Sequence, residues 1–294
     1  MEFRSVLPGV IVKYGKSPRN VEAPAYSTEN MQVNQREFAV QVDSVGSFYT
    51  RDGKEVEYHN TTGADNDWVK LYLNGQVLVA LLHQRKIINF HASSFIFRGR
   101  GVMILGETGA GKSSLTLAFA LRQEDPFSSP NVTGVIGTDG FLTDDLTPVI
   151  FREGIPFIWP LSRRVKIREG TALQLNIERG RLVDAEAGTG KKYLSLDPAV
   201  VEDYALHTIL KIETGDVTAP EFYEPSSAER FSLLRSEICS WEILAGMPET
   251  EAAYLQQLLQ IVQQVNIVKL VRPVEIEIVV LHDAVSRYLK GMDA

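Results

Sequence analysis

The residues with the clearest chemical meaning lie at 101–114, where a short apolar run breaks into the glycine-rich loop GETGAGKSS. This loop fits G-x-x-x-x-G-K-[ST], in which backbone N–H groups surround phosphates, the lysine reaches the outer phosphates and the hydroxyl coordinates Mg²⁺. Glycines suit the loop because a Cβ would hold the backbone away from the phosphate oxygens. The residues predicted to hold the phosphates are Gly106, Glu107, Thr108, Gly109, Ala110, Gly111, Lys112, Ser113 and Ser114, with Ser113 on Mg²⁺.

The segments on either side of the loop are those that such a motif requires. Residues 102–105 can form a buried strand, and residues 113–122 can form a helix whose N-terminus adds partial positive charge at the loop. The alternative is a glycine-rich turn without a ligand, which the strand–loop–helix setting disfavours. The sequence therefore predicts a nucleotide-binding site.

Two adjacent carboxylates, Asp144 and Asp145, follow the apolar stretch 140–142 and are the best candidates for chemistry beyond phosphate binding. Transfer of a phosphoryl group to a hydroxyl needs a carboxylate on Mg²⁺ and a group that accepts the hydroxyl proton. Neighbouring side chains on a strand point to opposite faces, so both can reach one site only if the strand ends there. Thr147 and Pro148 favour such an end, and a polar turn between two strands is the alternative.

A histidine on the preceding strand completes a pattern that resembles the kinase domain of the HPr kinase/phosphorylase family. His91 stands 21 positions before Lys112, and the run HASSFIFRGRGVMILGETGAGKSS is similar to the histidine-to-phosphate-loop run of that family's more distant relatives. The stretches GFLTDD, GIPFIWPL and NIVKLVRP resemble further segments of these relatives. The resemblance covers residues 76 to about 200 and, less closely, the remainder.

The resemblance implies an ATP- and Mg²⁺-dependent kinase that phosphorylates a hydroxyl. Asp144 or Asp145 would accept the hydroxyl proton while the other carboxylate helps to hold the metal ion with Ser113. His91 would lie against the pair and tune its proton affinity. Asp139 is a rival for the metal-side carboxylate, because the stretch before the aspartate pair is longer than in the family.

The glycine-rich loop departs from the DSGxGKSE type of the family, and the sequence lacks the signature of the bifunctional members' phosphorylase activity. These departures leave the phosphocarrier substrate and the reverse reaction open. Because divergent members modify other hydroxyls, including those of short peptides, a serine of a small protein or peptide is the favoured acceptor. A small-metabolite kinase and a nucleotide-dependent switch or NTPase are the alternatives, and a homo-oligomer is left open.

Two basic residues are candidates for binding substrate or phosphate, since the transferred group concentrates negative charge. Lys192 lies in the glycine-flanked stretch GTGKKY, which could close over a substrate. Arg163 follows the stretch WPL. For both residues the alternative is a solvated surface, and spacing gives no support to Arg272 as a further cation.

The composition of the 294 residues is that of a globular protein, with 44% apolar and 23% charged residues. A net charge of −7 argues against nucleic acid as a partner. Apolar runs are too short for a membrane span and the N-terminus lacks the pattern of a secretory signal, so no membrane partner and a cytoplasmic location are expected. With Cys239 as the single cysteine, an internal disulfide is excluded.

The expected fold class is α/β, with a phosphate-loop core of the HPr kinase type implied by the resemblance. A β-rich N-terminal region at 1–75, a candidate for substrate recognition, precedes the kinase core at 76–215. A mostly helical C-terminal region at 216–294 packs on that core.

Three stretches outside the motifs carry clear secondary-structure patterns. REFAVQV and VKLYL have the pattern of strands, whereas VVEDYALHTILKI has a helical pattern. Ser226 and Glu229 have the spacing of a capping box, which predicts that a helix begins there.

Overall fold

The computed structural model describes residues 7–61, 63, 65–121, 140–161, 164–185, 190–196 and 202–292. The chain divides into two compact units. The first consists of Met1–Asn89 with Ile238–Leu259, and the second of Phe90–Glu237 with Gln260–Ala294. Helices and sheets occur in both, which confirms the mixed α/β class. The expected core at 76–215 takes residues from both units, and its limits stay a prediction.

The strands in chain order are β1 (Ile11–Tyr14), β2 (Tyr26–Ser27), β3 (Met31–Val33), β4 (Glu37–Val42), β5 (Gly46–Arg51), β6 (Glu55–Asn60), β7 (Asn89–Phe90), β8 (Ala92–Phe97), β9 (Arg100–Gly106), β10 (Gly140–Thr143), β11 (Thr147–Arg152), β12 (Ile155–Ile158), β13 (Arg164–Arg168), β14 (Leu182–Asp184), β15 (Lys191–Ser195), β16 (Tyr204–Gly215), β17 (Glu221–Tyr223) and β18 (Asn266–Pro273). The α-helices are α1 (Asn66–Tyr72), α2 (Leu78–Gln84), α3 (Lys112–Leu121), α4 (Glu169–Gln174), α5 (Ser227–Ser236), α6 (Trp241–Leu244), α7 (Pro248–Gln264) and α8 (Ile278–Gly291). A π-helical turn (Leu73–Val77) joins α1 to α2, and a 3-10 turn (Arg179–Arg181) precedes β14.

The first unit is built on a sheet with the strand order β1-β6-β5-β4-β3-β2. β1 runs parallel to β6, and the other neighbours pair antiparallel. Phe38, Phe48 and Tyr49 of the central strands are buried. The Tyr49 hydroxyl donates to the Glu37 carboxylate, so this polar group is satisfied inside the unit.

The stretch VKLYL is helical, so the strand predicted for it is wrong. It lies across the end of α1 and the start of the π-helical turn. Its buried residues Val69 and Leu73 stand four positions apart, which places them on one face of a helix. A five-residue stretch with apolar side chains at alternate positions fits both the strand and the helix periodicity. Here the residues on either side are helical, and the stretch continues their helix.

The C-terminal segment of the first unit completes its interior through a buried histidine. Nδ1 of His83 on α2 lies 2.9 Å from the hydroxyl of Tyr254 on α7, and Nε2 lies 3.0 Å from the carbonyl oxygen of Cys239. Burial lowers the pKa of His83 to about 4, so the imidazole is neutral at ordinary pH. Residues distant in sequence thus form one hydrogen-bonded interior.

The central sheet of the second unit positions three segments at one edge. β9 lies between β8 and β16, β10 pairs with the other side of β8, and β18 pairs with β16. β9, β16 and β18 run parallel, whereas β8 is antiparallel to both β9 and β10. The carboxyl ends of β10, β9 and β18 therefore share one edge, which is where open α/β sheets bind ligands.

β16 shows that the helix predicted for VVEDYALHTILKI is wrong. Leu206, Ile209, Leu210 and Ile212 are all buried, and their spacing also fits a helix face. Two consecutive buried residues, Ile209 and Leu210, show that both faces of the strand are covered. A strand inside such a sheet loses the apolar–polar alternation that would identify it in a sequence.

The predicted helices around the central sheet are confirmed, as is the capping box. The Ser226 side chain accepts the Glu229 N–H at the start of α5, and the Glu229 carboxylate accepts the Ser226 N–H. Phe119 of α3 stacks on Phe95 of β8 with ring centroids 4.2 Å apart, which fixes this helix on the sheet. None of the helices in the described part of the chain combines the length and apolar content needed to cross a membrane.

A smaller sheet with the order β13-β15-β14 lies in the same unit. Its Val165, Ile167 and Leu194 are buried with Leu117 of α3 and Phe141 of β10. These contacts hold β13 and α4 beside the edge of the central sheet at which β10 ends.

Candidate functional site

The glycine-rich loop connects β9 to α3 and contains three glycines at positive φ. The φ angles are 150° at Gly106, 90° at Gly109 and 106° at Gly111. A Cβ at Gly106 would lie 2.6 Å from the carbonyl oxygen of Ile212 on the neighbouring β16. Glycine at this position is therefore required by the backbone conformation and by the close approach of β16.

Lys112 begins α3, and its side chain folds back over the loop. Its Nζ donates to the carbonyl oxygens of Gly106 at 2.6 Å and Glu107 at 3.3 Å. Desolvation lowers the pKa of this buried lysine, and the negative charges of Glu237 and Asp145 oppose that effect. The ammonium group thus lies at the loop and within the field of nearby carboxylates.

The aspartate pair lies in the turn that follows β10. β10 ends at Thr143, Asp145 has a φ of 65°, and β11 begins at Thr147, which confirms the predicted strand end. The turn gives the two carboxylates different surroundings. Asp144 is buried, with 5% of the residue exposed, whereas 48% of the Asp145 side chain is exposed.

The buried Asp144 carboxylate accepts hydrogen bonds from three different elements. The Ser93 hydroxyl on β8 donates to it, the Lys166 backbone N–H on β13 donates at 2.9 Å, and the Ser113 hydroxyl on α3 adds a further bond. Burial, and after it the charge of Asp145, raises the pKa of Asp144 to about 6 despite these bonds. Asp144 therefore ties together the segments that carry the site and titrates near neutral pH.

His91 lies just before β8, at the same edge of the sheet. Its backbone N–H donates to the carbonyl oxygen of Glu237 at 2.9 Å, and the residue lines the cleft. Partial desolvation in the cleft lowers the pKa of His91, the positive charge of Lys112 lowers it further, and the Asp145 carboxylate opposes both. The imidazole thus lies within the electric field of both a cation and an anion of the site.

Glu237 also forms a largely buried ion pair with Lys211 on β16. The side chains of both residues are 12% exposed, and the Lys211 ammonium donates to the Glu237 carboxylate. Glu237 therefore fixes the backbone of His91 through its carbonyl group and adds negative charge near Lys112 through its side chain.

Arg272 at the end of β18 is buried and donates to four backbone carbonyl groups. Its Nε donates to Ala110 at 2.8 Å, and its Nη2 lies 3.4 Å from the carbonyl oxygen of Gly109. Its Nη1 donates to Pro273 at 2.8 Å and to Val274 at 2.9 Å. The guanidinium group thus joins the glycine-rich loop to the chain that follows β18.

These elements surround a cleft of about 600 Å³, within the range of small-molecule sites. Predicted residues that line it are His91, Asp145 and residues 107–109 and 111–114. The predicted residues Asp144, Ala110 and Gly106 do not line the cleft, and Asp144 is buried.

Lys192, one of the two predicted substrate cations, is not among the described residues that line the cleft. Lys192 lies in β15, where it pairs with Ile167 of β13, and its ammonium donates to the Asp184 carboxylate. Its neighbour Lys191 lines the cleft. Arg163 and the rival carboxylate Asp139 lie outside the described residues.

Sequence reasoning missed Ser93 as part of the site, favoured a solvated surface for Lys166, and found no support from spacing for Arg272. Lys166 lines the cleft, and its Nζ lies 3.4 Å from Oδ2 of Asp145. Ser93 and Arg272 stand in HASSF and NIVKLVRP, two stretches that carry the family resemblance, which was the available signal. Their partners are distant in sequence, so only the fold reveals the contacts.

The residues around the loop fit a magnesium ion that is bound mainly by phosphates. The described residues contain no cluster of three or more His, Cys, Asp or Glu side chains that could hold a metal ion alone. Mg²⁺ in nucleotide sites typically takes one or two carboxylates, phosphate oxygens and water. The Ser113 hydroxyl beside the Asp144–Asp145 pair supplies a donor set of that kind.

Comparisons with known proteins give similarity to solved structures alone. The chain matches no protein-family model and no curated protein sequence. Among solved structures it is similar to the Hpr(Ser) kinase/phosphatase from Coxiella burnetii, with a TM-score of 0.36 and 14% sequence identity over 70% of this chain and 99% of that chain. This similarity is distant and does not identify the activity of this protein.

Proposed function

We propose that this protein is an ATP- and Mg²⁺-dependent kinase of the HPr kinase type that transfers the γ-phosphoryl group to a hydroxyl. The observation that supports it is the presence of Asp145 in one cleft with Lys112 and Ser113 of the glycine-rich loop. A carboxylate would repel bound phosphates unless a metal ion or a proton lay between them, so its position suits transfer chemistry better than phosphate binding alone.

In this proposal the loop backbone and Lys112 hold the triphosphate, and Ser113 helps to hold Mg²⁺. Asp144 is the metal-side carboxylate and acts through the Ser113 hydroxyl, which lines the cleft and hydrogen-bonds to it. The metal ion, when bound, neutralises charge on the β- and γ-phosphates. Ser93 and the Lys166 N–H keep Asp144 oriented toward Ser113.

Asp145 is the proton acceptor in the proposed transfer, because its half-exposed side chain lines the cleft that an acceptor can enter. The acceptor oxygen forms a bond to the γ-phosphorus, and the bond from that phosphorus to the bridging oxygen breaks, releasing ADP. The hydroxyl proton passes to Asp145. The Lys166 ammonium lies 3.4 Å from Oδ2 of Asp145 and holds this carboxylate at the acceptor side of the cleft.

The acceptor we favour is a serine of a small protein or peptide, on the strength of the family resemblance of the motifs. Lys166, Arg168 and Lys191 also line the cleft and give its acceptor side positive charge. That charge suits both the transferred phosphoryl group and acidic surroundings of a serine.

The test uses γ-labelled ATP and Mg²⁺ with host-cell lysate, followed by separation of the products by size. The wild type is compared with Asp145→Asn and with Asp216→Asn, a matched variant at an exposed aspartate outside the cleft. We expect label in a small polypeptide with the wild type and Asp216→Asn, and at least a hundredfold less with Asp145→Asn.

Label in a low-mass compound would keep the kinase and replace the polypeptide acceptor by a metabolite. Release of free phosphate alone, with no labelled acceptor, would contradict the kinase proposal and favour a nucleotide-dependent switch.

A further inference from the structure

Part of the cleft lining is apolar and is not used by the chemistry proposed above. Val274, Ile276 and Ile278 follow β18 and line the cleft together with Leu281 of α8 and Leu115 of α3. Val274 is 72% exposed, the highest value among the exposed large apolar side chains of the described residues. We name residues 274–278 the post-β18 segment.

The order of strands gives the distance between this segment and the phosphate site. From β9, which leads into the glycine-rich loop, β18 is two strands away on one side and β10 is two strands away on the other. Neighbouring strands lie about 4.8 Å apart, so each flanking segment starts about 10 Å from the loop. Asp145 and the post-β18 segment thus flank the loop on opposite sides.

Charge separates the two ends of the cleft. The post-β18 segment carries the carboxylates of Glu275 and Glu277, both of which line the cleft, whereas the other end carries Lys166, Arg168 and Lys191. Phosphates are repelled by the acidic end and attracted by the basic one. An uncharged, flat and apolar group that offers hydroxyl donors fits the acidic end, because it can pack on Val274 and donate to the carboxylates.

Arg272 keeps this segment in a fixed position relative to the loop. Its guanidinium group donates to the carbonyl groups of Gly109 and Ala110 in the loop and to those of Pro273 and Val274 at the start of the segment. On the far side of the segment, the Gln174 side chain accepts the Ile278 N–H at 2.9 Å. A ligand that spans both places therefore meets a preformed surface.

We infer that the post-β18 segment is the subsite for the nucleoside of the triphosphate, with the base packed on Val274 and Ile276 and the ribose hydroxyls near Glu275 or Glu277. Arg272 is a positioning residue that sets the spacing between this subsite and the phosphate loop. The inference rests on the proposed function, because it needs the triphosphate to be bound at the loop.

The test compares the binding of Mg²⁺·ATP with that of Mg²⁺·tripolyphosphate, which has the phosphates without the nucleoside, by titration calorimetry. The variant is Val274→Ser, and the matched control is Val280→Ser, an exposed valine of α8 that does not line the cleft. We expect Val274→Ser to weaken ATP binding about tenfold, which is about 1.4 kcal/mol, because the base no longer packs on the valine side chain. Tripolyphosphate affinity stays unchanged, and Val280→Ser changes neither ligand.

Several outcomes overturn the inference, and they are distinguishable from failure of the proposed function. Equal affinities of the wild type for ATP and tripolyphosphate would contradict the nucleoside subsite but not the phosphate site. An equal loss of affinity for both ligands in Val274→Ser, or an unchanged affinity for ATP, would also contradict the nucleoside subsite. If the wild type binds neither ligand, the proposed function fails and the inference fails with it.

Discussion

Lys166 contacts both members of the aspartate pair, Asp144 through its backbone and Asp145 through its side chain. Its N–H donates to Oδ2 of Asp144 at 2.9 Å, and its Nζ lies 3.4 Å from Oδ2 of Asp145. One residue of β13 therefore donates a hydrogen bond to the buried carboxylate, which opposes the rise of the Asp144 pKa, and places its ammonium beside the exposed one. The position of this small sheet consequently affects the proton affinity of the site as well as its shape.

The pH dependence of phosphoryl transfer follows from the raised pKa of Asp144, about 6. Because the proposed metal-side role needs the ionised carboxylate of Asp144, kcat/KM should rise toward a plateau above about pH 6. The measurement is a rate profile from pH 5 to 8 with saturating Mg²⁺. A profile that is flat across this range would contradict the proposed role of the pair.

The stability of the protein should respond to pH through the same group. Asp144 has a higher pKa in the folded protein than in the unfolded chain, so the stability it contributes is full below about pH 4 and falls as the pH rises through about 6. The amide side chain of Asp144→Asn does not titrate, so the stability of the variant lacks this pH dependence. We therefore expect the free energy of unfolding of the variant minus that of the wild type, measured in urea titrations, to increase between pH 4.5 and 7. A constant difference would show that the pKa of Asp144 is not raised.

Nucleotide binding should stabilise the folded protein by mass action. At a hundredfold excess over Kd, Mg²⁺·ATP adds about 2.7 kcal/mol to the free energy of unfolding. Lys112→Ala removes the ammonium that lies at Gly106 and Glu107, so most of this gain should be lost. Thermal unfolding with and without Mg²⁺·ATP measures the difference, and an unchanged melting temperature of the wild type would refute nucleotide binding.

Gly106→Ala should destabilise the second unit even in buffer without ligand. The φ of 150° disfavours a side chain, and the new Cβ would lie 2.6 Å from the Ile212 carbonyl oxygen, so we expect a loss of more than about 1 kcal/mol. Gly170→Ala is the control, because Gly170 lies in α4 with open space around its Cβ position and should gain up to about 1 kcal/mol. Equal effects in urea unfolding would mean that the close approach at Gly106 does not exist.

Glu237→Gln should lower the pKa of His91, because the Glu237 charge favours the protonated imidazole. The carbonyl group that accepts the His91 N–H is retained in this variant, so the change isolates the charge. NMR titration of the histidine ring signals measures it. Glu213→Gln is the control, since Glu213 pairs with Lys269 and is not among the charges that act most strongly on His91. An unaltered pKa in Glu237→Gln would show that this charge does not reach the imidazole.

The sequence was most informative where function depends on consecutive residues. The loop around Lys112, the strand and helix on either side of it and the turn at Asp145 are local, so composition and spacing are enough to predict them. The capping box at Ser226 is local in the same sense. In each of these places the geometry is set by residues within a few positions of one another.

Prediction failed for elements whose apolar pattern depends on which other parts of the fold bury their faces. β16 has a helical spacing of apolar residues only because both of its faces are buried, which a single sequence does not reveal. Likewise Ser93, Lys166 and Arg272 acquire their roles from partners dozens of positions away, or more than a hundred for Arg272. These contacts are consequences of strand order, and no local pattern encodes them.

The division of the first unit between Met1–Asn89 and Ile238–Leu259 has a consequence for how the protein is made. Its N-terminal part emerges from the ribosome long before Tyr254, the residue that satisfies the buried His83. At 5–20 residues per second, the roughly 170 residues between them take about 10–30 seconds to synthesise. During that time the early part of the chain lacks its interior partner, so a chaperone that shields it has a defined interval in which to act.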